Sequence, residues 1–286
     1  MVRIAAVSDL HGLVSRFALL GRLLDKGIDT LLVAGDIGAA GNPADQQRSI
    51  RANFSALLKG RKRVRVLAIP GNDDWTIVET TLREFPEVNV PTDHPARLDV
   101  GLSIAGYPYV PVTPFSMKDY EKWDTAAEGP VTQSREEIRK VLIEQGINIS
   151  GLRSDGNELY DYEFDPLDRL DNISADMDRL AGLSDPEKTV YLIHCPPFGV
   201  LDTGISWQGP RSIGSRGIAD FIQTHRPRMT IHGHSHEAVD WAGGCFRIRL
   251  GASEVLSVGP GNDPEVLNYV VLDLAAGLHT RHRLVA

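Results

Sequence analysis

Cysteine, basic charge and long apolar runs are all scarce in this chain of 286 residues. The two cysteines, Cys195 and Cys245, are too few and too far apart for a disulfide framework or a CxxC motif, so we expect both to pack as small apolar side chains. No run of 18 apolar residues is present, so no membrane span is predicted. The first apolar run ends at Asp9 and has neither the length nor the cleavage pattern of a signal peptide. These absences predict a cytoplasmic protein without disulfides.

The charge of the chain is acidic and unevenly distributed. Its 38 acidic and 30 basic residues give a net charge of −8, and residues 151–188 alone contain 11 acids and only 4 bases. Proteins that bind long nucleic acids usually carry a basic stripe, which this composition lacks. The sequence therefore disfavours nucleic acid as a partner, although a local basic groove stays open as an alternative.

The order of apolar runs and helical segments is typical of an α/β protein. Hydrophobic residues make up 42% of the chain and charged residues 24%, as in ordinary globular proteins. Strands are predicted over residues 4–7, 30–34, 64–69, 98–106, 189–193 and 228–231. Helices are predicted over residues 13–24, 42–59, 75–85, 133–145, 175–181 and 217–225. Four further β segments, which we expect to be antiparallel, cover residues 246–250, 254–258, 267–272 and 279–284.

The middle of the chain has a different composition. Residues 107–123 are rich in proline and aromatic residues and predict a loop, and residues 146–172 are polar, acidic and irregular. An unstructured stretch of that length is unusual inside a compact domain. We therefore predict a single domain over residues 1–286 with a partly helical insertion, the cap, over residues 107–187.

Side chains that can bind metals follow five of the predicted strands. In open α/β sheets, ligands bind at the carboxyl ends of the strands, so these side chains are expected to meet. The set contains two carboxylates, one amide and four imidazoles: Asp9, His11, Asp36, Asn72, His194, His234 and His236. Carboxylate and imidazole ligands suit Mn, Fe, Zn, Ni or Co better than Ca alone. Seven donors exceed what one open catalytic ion needs, so the pattern predicts two ions that share a carboxylate.

Each motif also has an ordinary structural explanation. Asp-x-His after a strand is often a turn with a helix cap, Pro-Gly-Asn-Asp is a common turn sequence, and His194 alone is compatible with a buried core histidine. The alternating His232, His234 and His236 would share one face of a strand and could bind a single zinc. Turns and caps do not account for all five strand ends together, so the combination favours a metal site.

Taken together, the motifs resemble the signature of the calcineurin-like metallophosphoesterases, which reads D-x-H, G-D, G-N-H-D/E, H and G-H-x-H. The matching residues here are Asp9-x-His11, Gly35-Asp36, Gly71-Asn72-Asp73-Asp74, His194 and Gly233-His234-Ser235-His236. The match runs from the first strand to about residue 240, and residues 195–237 resemble the bacterial and archaeal Icc-related branch. The resemblance implies a four-layer α/β/β/α sandwich of two mixed sheets flanked by helices, with the site at one end.

The resemblance also implies how the ligands divide between two divalent ions. Asp36 would bridge the ions. The first ion would be held by Asp9, His11 and His236, and the second by Asn72, His194 and His234. His232 receives no role, and we expect it to support a ligand or to pack.

One residue departs from the family pattern. The family usually has His after the motif Asn, where it is thought to stabilise the transition state or to protonate the leaving group, and this chain has Asp73. An ionised Asp73 repels an anionic phosphate, whereas a protonated Asp73 can donate if burial raises its pKa. We take Asp36, Asn72 and Asp73 as candidate catalytic residues, and His94 or a base in the cap as an alternative proton donor.

The substrate contacts are less specific. Arg211 and Arg216 flank residues 212–215 just before a predicted helix, where backbone amides and arginines bind phosphate well. A surface loop with ordinary arginines is an equal alternative. Four aromatic residues of the cap can stack on a substrate, although packing of the cap is favoured for them: Tyr107, Tyr109, Phe115 and Trp123. The acidic segment 151–188 admits a small phosphodiester or nucleotide more easily than duplex DNA.

The resemblance implies a dinuclear metal-dependent phosphohydrolase. Two ions about 3.5–4 Å apart clamp a phosphate and activate a water for in-line attack. The missing motif His favours diesters or activated esters, which indicates a phosphodiesterase that uses Mn, Fe, Ni, Zn or Mg. A metal-bound binding or regulatory module with little turnover is one alternative, and a nuclease is another. The sequence does not specify the oligomeric state.

Overall fold

Two six-stranded sheets form the centre of the protein in a computed structural model that describes residues 3–98, 101–126, 133–206 and 209–286. The strands of the first sheet, in spatial order, are β18 (Leu278–Val285), β17 (Val266–Asp273), β1 (Ile4–Val7), β2 (Thr30–Ala34), β3 (Arg65–Ile69) and β4 (Val88–Asn89). The strands of the second are β15 (Arg247–Leu250), β16 (Ser253–Ser257), β14 (Met229–His232), β11 (Thr189–Ile193), β6 (Ser103–Tyr107) and β5 (Ala96–Arg97). In the first sheet, five strands run in one direction and only β17 runs against them. In the second sheet, four strands are parallel and the two edge strands, β15 and β5, are antiparallel to their neighbours.

Helices cover the outer faces of both sheets. The first sheet carries α1 (Val14–Asp25), α2 (Pro43–Leu58) and α3 (Thr76–Leu82). The helix α4 (Arg135–Glu144) lies in the cap, and the second sheet carries α5 (Ile173–Ala181) and α6 (Arg216–His225). A short helix, α7 (Ala238–Trp241), follows β14. No helix within the described ranges is long and apolar enough to cross a membrane.

The hydrophobic core lies in three layers because successive side chains of a strand point to opposite faces of the sheet. In β1, Val7 packs against the helices of the first sheet and Ala6 packs against the second sheet. In β11, Leu192 faces the first sheet, whereas Tyr191 stacks edge-on against Phe221 of α6 with ring centroids 5.0 Å apart. The four-layer α/β/β/α sandwich expected from the sequence is confirmed.

Capping residues fix several of the helix boundaries close to their predicted positions. At the start of α2, the Asn42 side chain accepts a hydrogen bond from the backbone of Asp45, and the Asp45 side chain accepts one from the backbone of Asn42. Pro43 occupies the first turn, where its missing N–H costs nothing. The same reciprocal pair, Ser134 with Glu137, starts α4.

The cap contains a hairpin that the sequence analysis missed. Residues 146–172 were expected to be irregular, but β9 (Ser150–Asp155) pairs antiparallel with β10 (Glu158–Glu163). Most of these side chains are partly or fully exposed, so the strands lack the alternation of apolar and polar residues that a half-buried strand shows. The sequence does contain one signal for a hairpin, the dipeptide Gly156-Asn157, which forms the two-residue turn between the strands. Gly156 adopts a φ of +59° in this turn.

Three other segments also differ from the predicted secondary structure. The strand predicted over 98–106 begins at Ser103, and residues 99 and 100 lie outside the described residues. The predicted loop 107–123 contains the short paired strands β7 (Val110–Pro111) and β8 (Glu121–Lys122). An unpredicted hairpin, β12 (Thr203–Ser206) with β13 (Gly209–Ser212), follows β11.

The C-terminal β segments are only partly antiparallel. β15 and β16 are antiparallel, as are β17 and β18, but β16 runs parallel to β14. The chain passes from β14 to β16 through α7 and β15 rather than through a hairpin. Turn residues therefore do not indicate that β14 and β16 pair in parallel. The expectation of an antiparallel arrangement throughout this region was therefore wrong.

A buried ion pair orders the loop at the start of the cap. The Nζ atom of Lys118 lies 2.7 Å from Oε2 of Glu121, and both side chains are fully buried. Lys118 also donates to the backbone carbonyl of Thr113, while the Thr113 N–H and hydroxyl both donate to Glu121. Burial raises the pKa of Glu121 to about 7 and lowers the pKa of Lys118. The pair therefore depends on its mutual charges and hydrogen bonds to offset desolvation.

Lys118→Met is expected to lower the free energy of unfolding by about 3–5 kcal/mol, because it leaves the Glu121 carboxylate buried without its cation. Urea denaturation at pH 8 measures this loss. Arg135→Met is the matched control, since it breaks the exposed Arg135–Asp165 pair and is expected to change stability little. A loss no larger than that of the control would contradict the argument.

Candidate metal centre

The carboxyl ends of five parallel strands converge on one end of the sandwich. β1, β2 and β3 of the first sheet lead to Asp9, Asp36 and Asn72, and β11 and β14 of the second sheet lead to His194 and His234. Contacts between backbone and side chain join the two sheets here. The imidazole Nδ1 of His194 lies 2.7 Å from the backbone carbonyl of Ala34, at the end of β2. The predicted ligands therefore come from both sheets.

The backbone at this edge adopts unusual conformations. Six non-glycine residues with positive φ occur in the described part of the chain, and four of them are predicted ligands. Their φ angles lie between 48° and 62° for Asp9, His11, Asp36 and His234. Asp and His tolerate this left-handed region better than most residues, but it still costs free energy, and such strain clusters at functional sites. The turns aim these side chains inward, toward one another.

Gly35 and Gly71 must be glycines because predicted ligand side chains lie directly against their backbone. A Cβ atom on Gly35 would lie 2.1 Å from Nδ1 of His194, and one on Gly71 would lie 2.3 Å from Oδ1 of Asp36. Gly35 also has a φ of +95°. Any side chain at either position would displace a predicted ligand, which explains why glycine precedes both Asp36 and Asn72.

The donor atoms form a compact cluster. Nε2 of His236 lies 3.3 Å from Oδ1 of Asp9 and 3.3 Å from Nε2 of His11. On the other side, Nε2 of His194 lies 3.3 Å from Oδ2 of Asp36 and 3.1 Å from Oδ1 of Asn72. Asp9, Asp36 and His194 are almost completely buried. Buried carboxylates and imidazoles at these separations are suited to binding cations.

Three overlapping groups of donors among the described residues are close enough to share an ion. In each group, the donor atoms lie within 4.8 Å of one another. The groups are Asp9, His11 and His236; Asp9, Asp36 and His194; and His11, Asp36 and Asp73. The Asp36 carboxylate belongs to two of these groups, the one with Asp9 and His194 and the one with His11 and Asp73. It therefore lies between the His194 side and the His11 side of the cluster. The oxygen and nitrogen donor set fits divalent ions of the Mn, Fe, Ni and Zn type.

Two further predicted ligands border these groups. The His234 ring lies 5.2 Å from the His194 ring, and the backbone N–H of His234 donates to both carboxylate oxygens of Asp9 at 3.2 Å. Both His234 and Asn72 line the cleft above the cluster. The structure thus brings all seven predicted ligands to one place, while their assignment to individual ions stays a prediction.

The charges of the cluster stabilise one another. Burial opposes ionisation of Asp36 and of Asp9, but the histidines beside them outweigh burial and hold both pKa values below the ordinary range. Burial likewise opposes protonation of His194 and His236, but the acids raise the pKa of His194 to about 10 and that of His236 to about 9. A metal ion would have to replace these protons, so metal binding is expected to release them.

Asp73 and Asp74, which follow the motif Asn, have different roles. Asp74 is buried and accepts hydrogen bonds from the backbone N–H groups of Ile37, Gly38 and Gly71, so it ties two motif loops together. Asp73 stands where the family motif has His. The charge of Asp36, together with burial, raises the pKa of Asp73 to about 7. The Asp73 carboxylate lies 3.8 Å from the His11 ring and accepts a hydrogen bond from Asn72 at 2.9 Å.

His232, for which the sequence assigned no role, is a buried structural residue. Its Nδ1 lies 2.8 Å from the Cys195 carbonyl, and its Nε2 lies 2.7 Å from the Thr230 hydroxyl. Burial lowers the pKa of His232 to about 4, so the ring is neutral at pH 7. Both ring nitrogens are engaged away from the cluster.

Of the three predicted substrate contacts, Arg211, Arg216 and His94, only Arg211 lines the cleft. Arg211 lines the cleft and donates to the carbonyl of Gln145 at 2.9 Å. Arg216 does not line it, and its guanidinium lies 4.1 Å from the centre of the Phe198 ring. The exposed His94 does not line the cleft either.

The start of α6 is already occupied by a carboxylate, which contradicts the idea that it binds substrate phosphate. Asp124 accepts hydrogen bonds from the backbone N–H groups of Arg216 and Gly217 and from the Ser215 hydroxyl. The positive end of the helix is therefore neutralised from within the chain. Sequence spacing gave no sign of this contact, because Asp124 precedes Arg216 by 92 residues.

Of the four aromatic residues proposed to stack on a substrate, three are packed inside the protein and one lines the cleft. Tyr107 and Trp123 are buried in the protein core, and Tyr109 is packed against Tyr107 and Tyr120. Phe115 alone among the four is exposed, and it lines the cleft. The favoured interpretation, packing, therefore fits three of the four residues.

Sequence reasoning missed Asn262. Its Oδ1 lies 2.7 Å from Nδ1 of His236, and its amide nitrogen donates to Glu237 at 2.6 Å. Since a carboxylate at Glu237 can only accept, the amide oxygen must face His236 and accept the proton on Nδ1. The other imidazole nitrogen, Nε2, then faces the cluster, where a metal ion that replaces its proton would find its lone pair. The buried Arg16 guanidinium ties this loop to the first motif, because it donates to the carbonyls of Asp9 and Gly261.

Asn262→Ala is expected to weaken divalent metal binding about 10- to 100-fold, because it removes the acceptor that orients His236. Calorimetric titration with Mn²⁺ measures the affinity without any assay of activity. Asn268→Ala, a nearby asparagine that bonds the Pro260 carbonyl, is the matched control. Equal affinities for the two variants would show that Asn262 does not position the ligand.

Solved structures with similar folds share little sequence with the chain. The protein TT1561 of Thermus thermophilus matches with a TM-score of 0.56 and 18% identity over 99% of each chain, a likeness that shows the fold alone. A dimetal phosphatase from Danio rerio matches with a TM-score of 0.47 and 10% identity over 94% of this chain and 91% of that one. Purple acid phosphatase PPD1 from yellow lupin, Lupinus luteus, matches with a TM-score of 0.44 and 12% identity over 99% of this chain and 53% of that one.

The family assignment comes from the sequence itself. No curated protein matches the chain at a significant level. The family described as calcineurin-like phosphoesterase matches residues 2–238, a range that contains all seven predicted ligands and ends before Asn262. The chain therefore belongs to the calcineurin-like phosphoesterase family.

Proposed function

We propose that the chain is a dinuclear metal-dependent phosphodiesterase that acts on small phosphate diesters. Membership of the calcineurin-like phosphoesterase family supports the hydrolysis of phosphate esters. The observation that carries the finer proposal is the buried cluster of donors, in which the Asp36 carboxylate lies between two groups of metal-binding side chains at the base of a cleft. The metal identity and a cytoplasmic location stay predictions from the sequence.

In this proposal, Asp36 is shared between two divalent ions. One ion would be held by Asp9, His11 and His236, and the other by Asn72, His194 and His234. When bound, the ions supply a clamp for the phosphate and a lowered pKa for water. The protein supplies the orientation: the Ala34 carbonyl fixes the His194 ring, Asn262 fixes the His236 ring, and the Asp73 backbone N–H donates to Asp36 at 2.8 Å.

Asp73 favours a diester over a monoester. A phosphate diester carries one negative charge, whereas a monoester carries up to two. Once Asp73 ionises, above its raised pKa of about 7, its carboxylate therefore repels the monoester more strongly. A histidine at this position would supply a proton for a poor leaving group, whereas Asp73 loses its own proton as the pH rises past its raised pKa of about 7. Diesters and esters with good leaving groups therefore suit this site best.

The cleft supports a small substrate. It encloses about 610 Å³, which is the range of pockets that bind small molecules. Arg211 is the only lysine or arginine among the described residues that line it. Because duplex DNA requires several cations along its backbone, a nuclease is not favoured.

A second candidate function is a metal-bound binding or regulatory module with little turnover. The observation that favours it is again Asp73, since the chain lacks the usual proton donor of the family at that position. The complete set of metal ligands argues against it, because a binding module has little need of two catalytic ions.

Hydrolysis of bis-p-nitrophenyl phosphate and p-nitrophenyl phosphate tests the proposal. Metal-stripped protein is supplied with Mn, Ni, Fe(II), Zn or Mg, and we expect metal-dependent turnover with at least about tenfold preference for the diester. Asp36→Asn is expected to lower kcat at least about 100-fold, since it removes the shared carboxylate, while the exposed Asp93→Asn keeps full activity. Metal binding without turnover of either ester would favour the binding module, and no metal binding at all would overturn both functions.

Asp73→His is expected to raise turnover of diphenyl phosphate, a diester with a poor leaving group. We expect the ratio of its turnover to that of bis-p-nitrophenyl phosphate to increase at least about tenfold. The reason is that the imidazole adds a proton donor, and general acid catalysis is worth about 10²–10⁴ in rate. Asp73→Asn is the control, because it removes the charge without adding a group that can transfer a proton. If both variants gain equally, relief of charge repulsion rather than proton donation is responsible.

A further inference from the structure

Many of the described residues that line the cleft at the metal cluster have apolar side chains. We call six of them the apolar wall: Val112, Pro114, Phe115, Ile147, Ile205 and Ile213. They come from three separate segments: the loop at the start of the cap, the turn after α4, and the β12–β13 hairpin with the residues that follow it. The same cleft is also lined by the predicted metal ligands His11, Asp36 and His234.

Two members of the wall are unusually exposed for large apolar side chains. Phe115 is 56% exposed and Ile205 is 63% exposed. Single exposed apolar residues are common on protein surfaces, but here two of them border one concave site together with four further apolar residues. A cleft of this kind, apolar with a few polar groups at one end, is the usual form of a small-molecule binding site.

The wall is supported by buried contacts. Val112 packs in the core of the cap, and the adjacent Thr113 is held by the buried Lys118–Glu121 pair. The hairpin is fastened to the cap, because Arg211 donates to the carbonyl of Gln145 at the end of α4. The wall is thus organised before any substrate binds, which lowers the entropy cost of binding.

The charges of the cleft limit what the wall can bind. The acids among the lining residues are Asp36, Asp73 and Glu237, and the guanidinium of Arg211 already has a backbone partner. A substrate with several phosphates would find repulsion rather than cations away from the metal cluster. The part of the substrate that lies on the wall must therefore be uncharged.

We propose that the apolar wall binds the organic part of the substrate, so that the substrate is a phosphate ester with an apolar group, either an aliphatic chain or an aromatic ring. This inference rests on the proposed phosphodiesterase function and adds the substrate class. Each methylene that moves from water onto the wall increases binding by up to about fourfold.

A series of p-nitrophenyl alkyl phosphates tests this substrate class. The leaving group stays constant, while the second ester group is methyl, butyl or octyl, used below the micelle concentration. We expect KM to fall at least about tenfold from methyl to butyl with little change in kcat, because the wall binds substrate and transition state alike. A phenyl ester and the thymidine 5′-ester form a second arm, which separates a preference for rings from a preference for chains.

Variants locate the effect on the wall. Phe115→Ser and Ile205→Ser are expected to reduce the ratio of kcat/KM between the butyl and methyl esters at least about threefold each. Leu170→Ser is the matched control, because Leu170 is 84% exposed and does not line the cleft. A ratio that is unchanged in both wall variants would overturn the inference.

The two proposals can fail separately. Hydrolysis of the methyl ester with a flat response to chain length and to rings would overturn the apolar substrate class and leave the phosphodiesterase intact. If no ester is hydrolysed, the dissociation constants of methyl-, butyl- and octylphosphonate for the metal-loaded protein still test the wall. Tighter binding of the longer phosphonates would support the wall in a protein without this activity, and equal constants would overturn it.

Discussion

The desolvated carboxylate of Asp36 is the constraint on which the rest of the site depends. Its side chain is almost completely buried, so its charge must be balanced by His194, by the Asp73 backbone N–H and by a cation when one is bound. Glycine at position 71 follows from the same constraint, since a side chain there would collide with the carboxylate. The raised pKa of Asp73 follows too, because two carboxylates this close do not ionise independently.

The features that could be predicted from the sequence are those encoded within a few residues. Buried parallel strands give continuous apolar runs, and the strand ends carry their ligands directly after those runs, so the α/β class and the seven converging side chains could be anticipated. The four-layer sandwich was expected only because the motifs resemble those of the family. The hairpin of β9 and β10 escaped because its strands are exposed and lack an apolar face. Only the Gly156 turn marked it.

Contacts between distant segments could not be predicted in this way. Asn262 orients His236 from a loop that follows the family motifs, and no local pattern distinguishes it from other asparagines in turns. Arg216 looked like a phosphate contact because the sequence does not show that Asp124 fills the start of α6. In both cases, tertiary packing rather than spacing decides what a polar group contacts.

The division of the ligands between the two sheets has a consequence for folding. Asp9, Asp36 and Asn72 belong to one sheet, whereas His194 and His234 belong to the other. The complete ligand set therefore exists only while the sheets are packed face to face, and separating them must release whatever the ligands jointly hold. Thermodynamic linkage then makes ion availability a determinant of conformational stability, worth about 2.7 kcal/mol when the free ion is at 100 times its Kd. A bound ion would in this way stabilise the packing of the two sheets against each other as well as occupy the cluster.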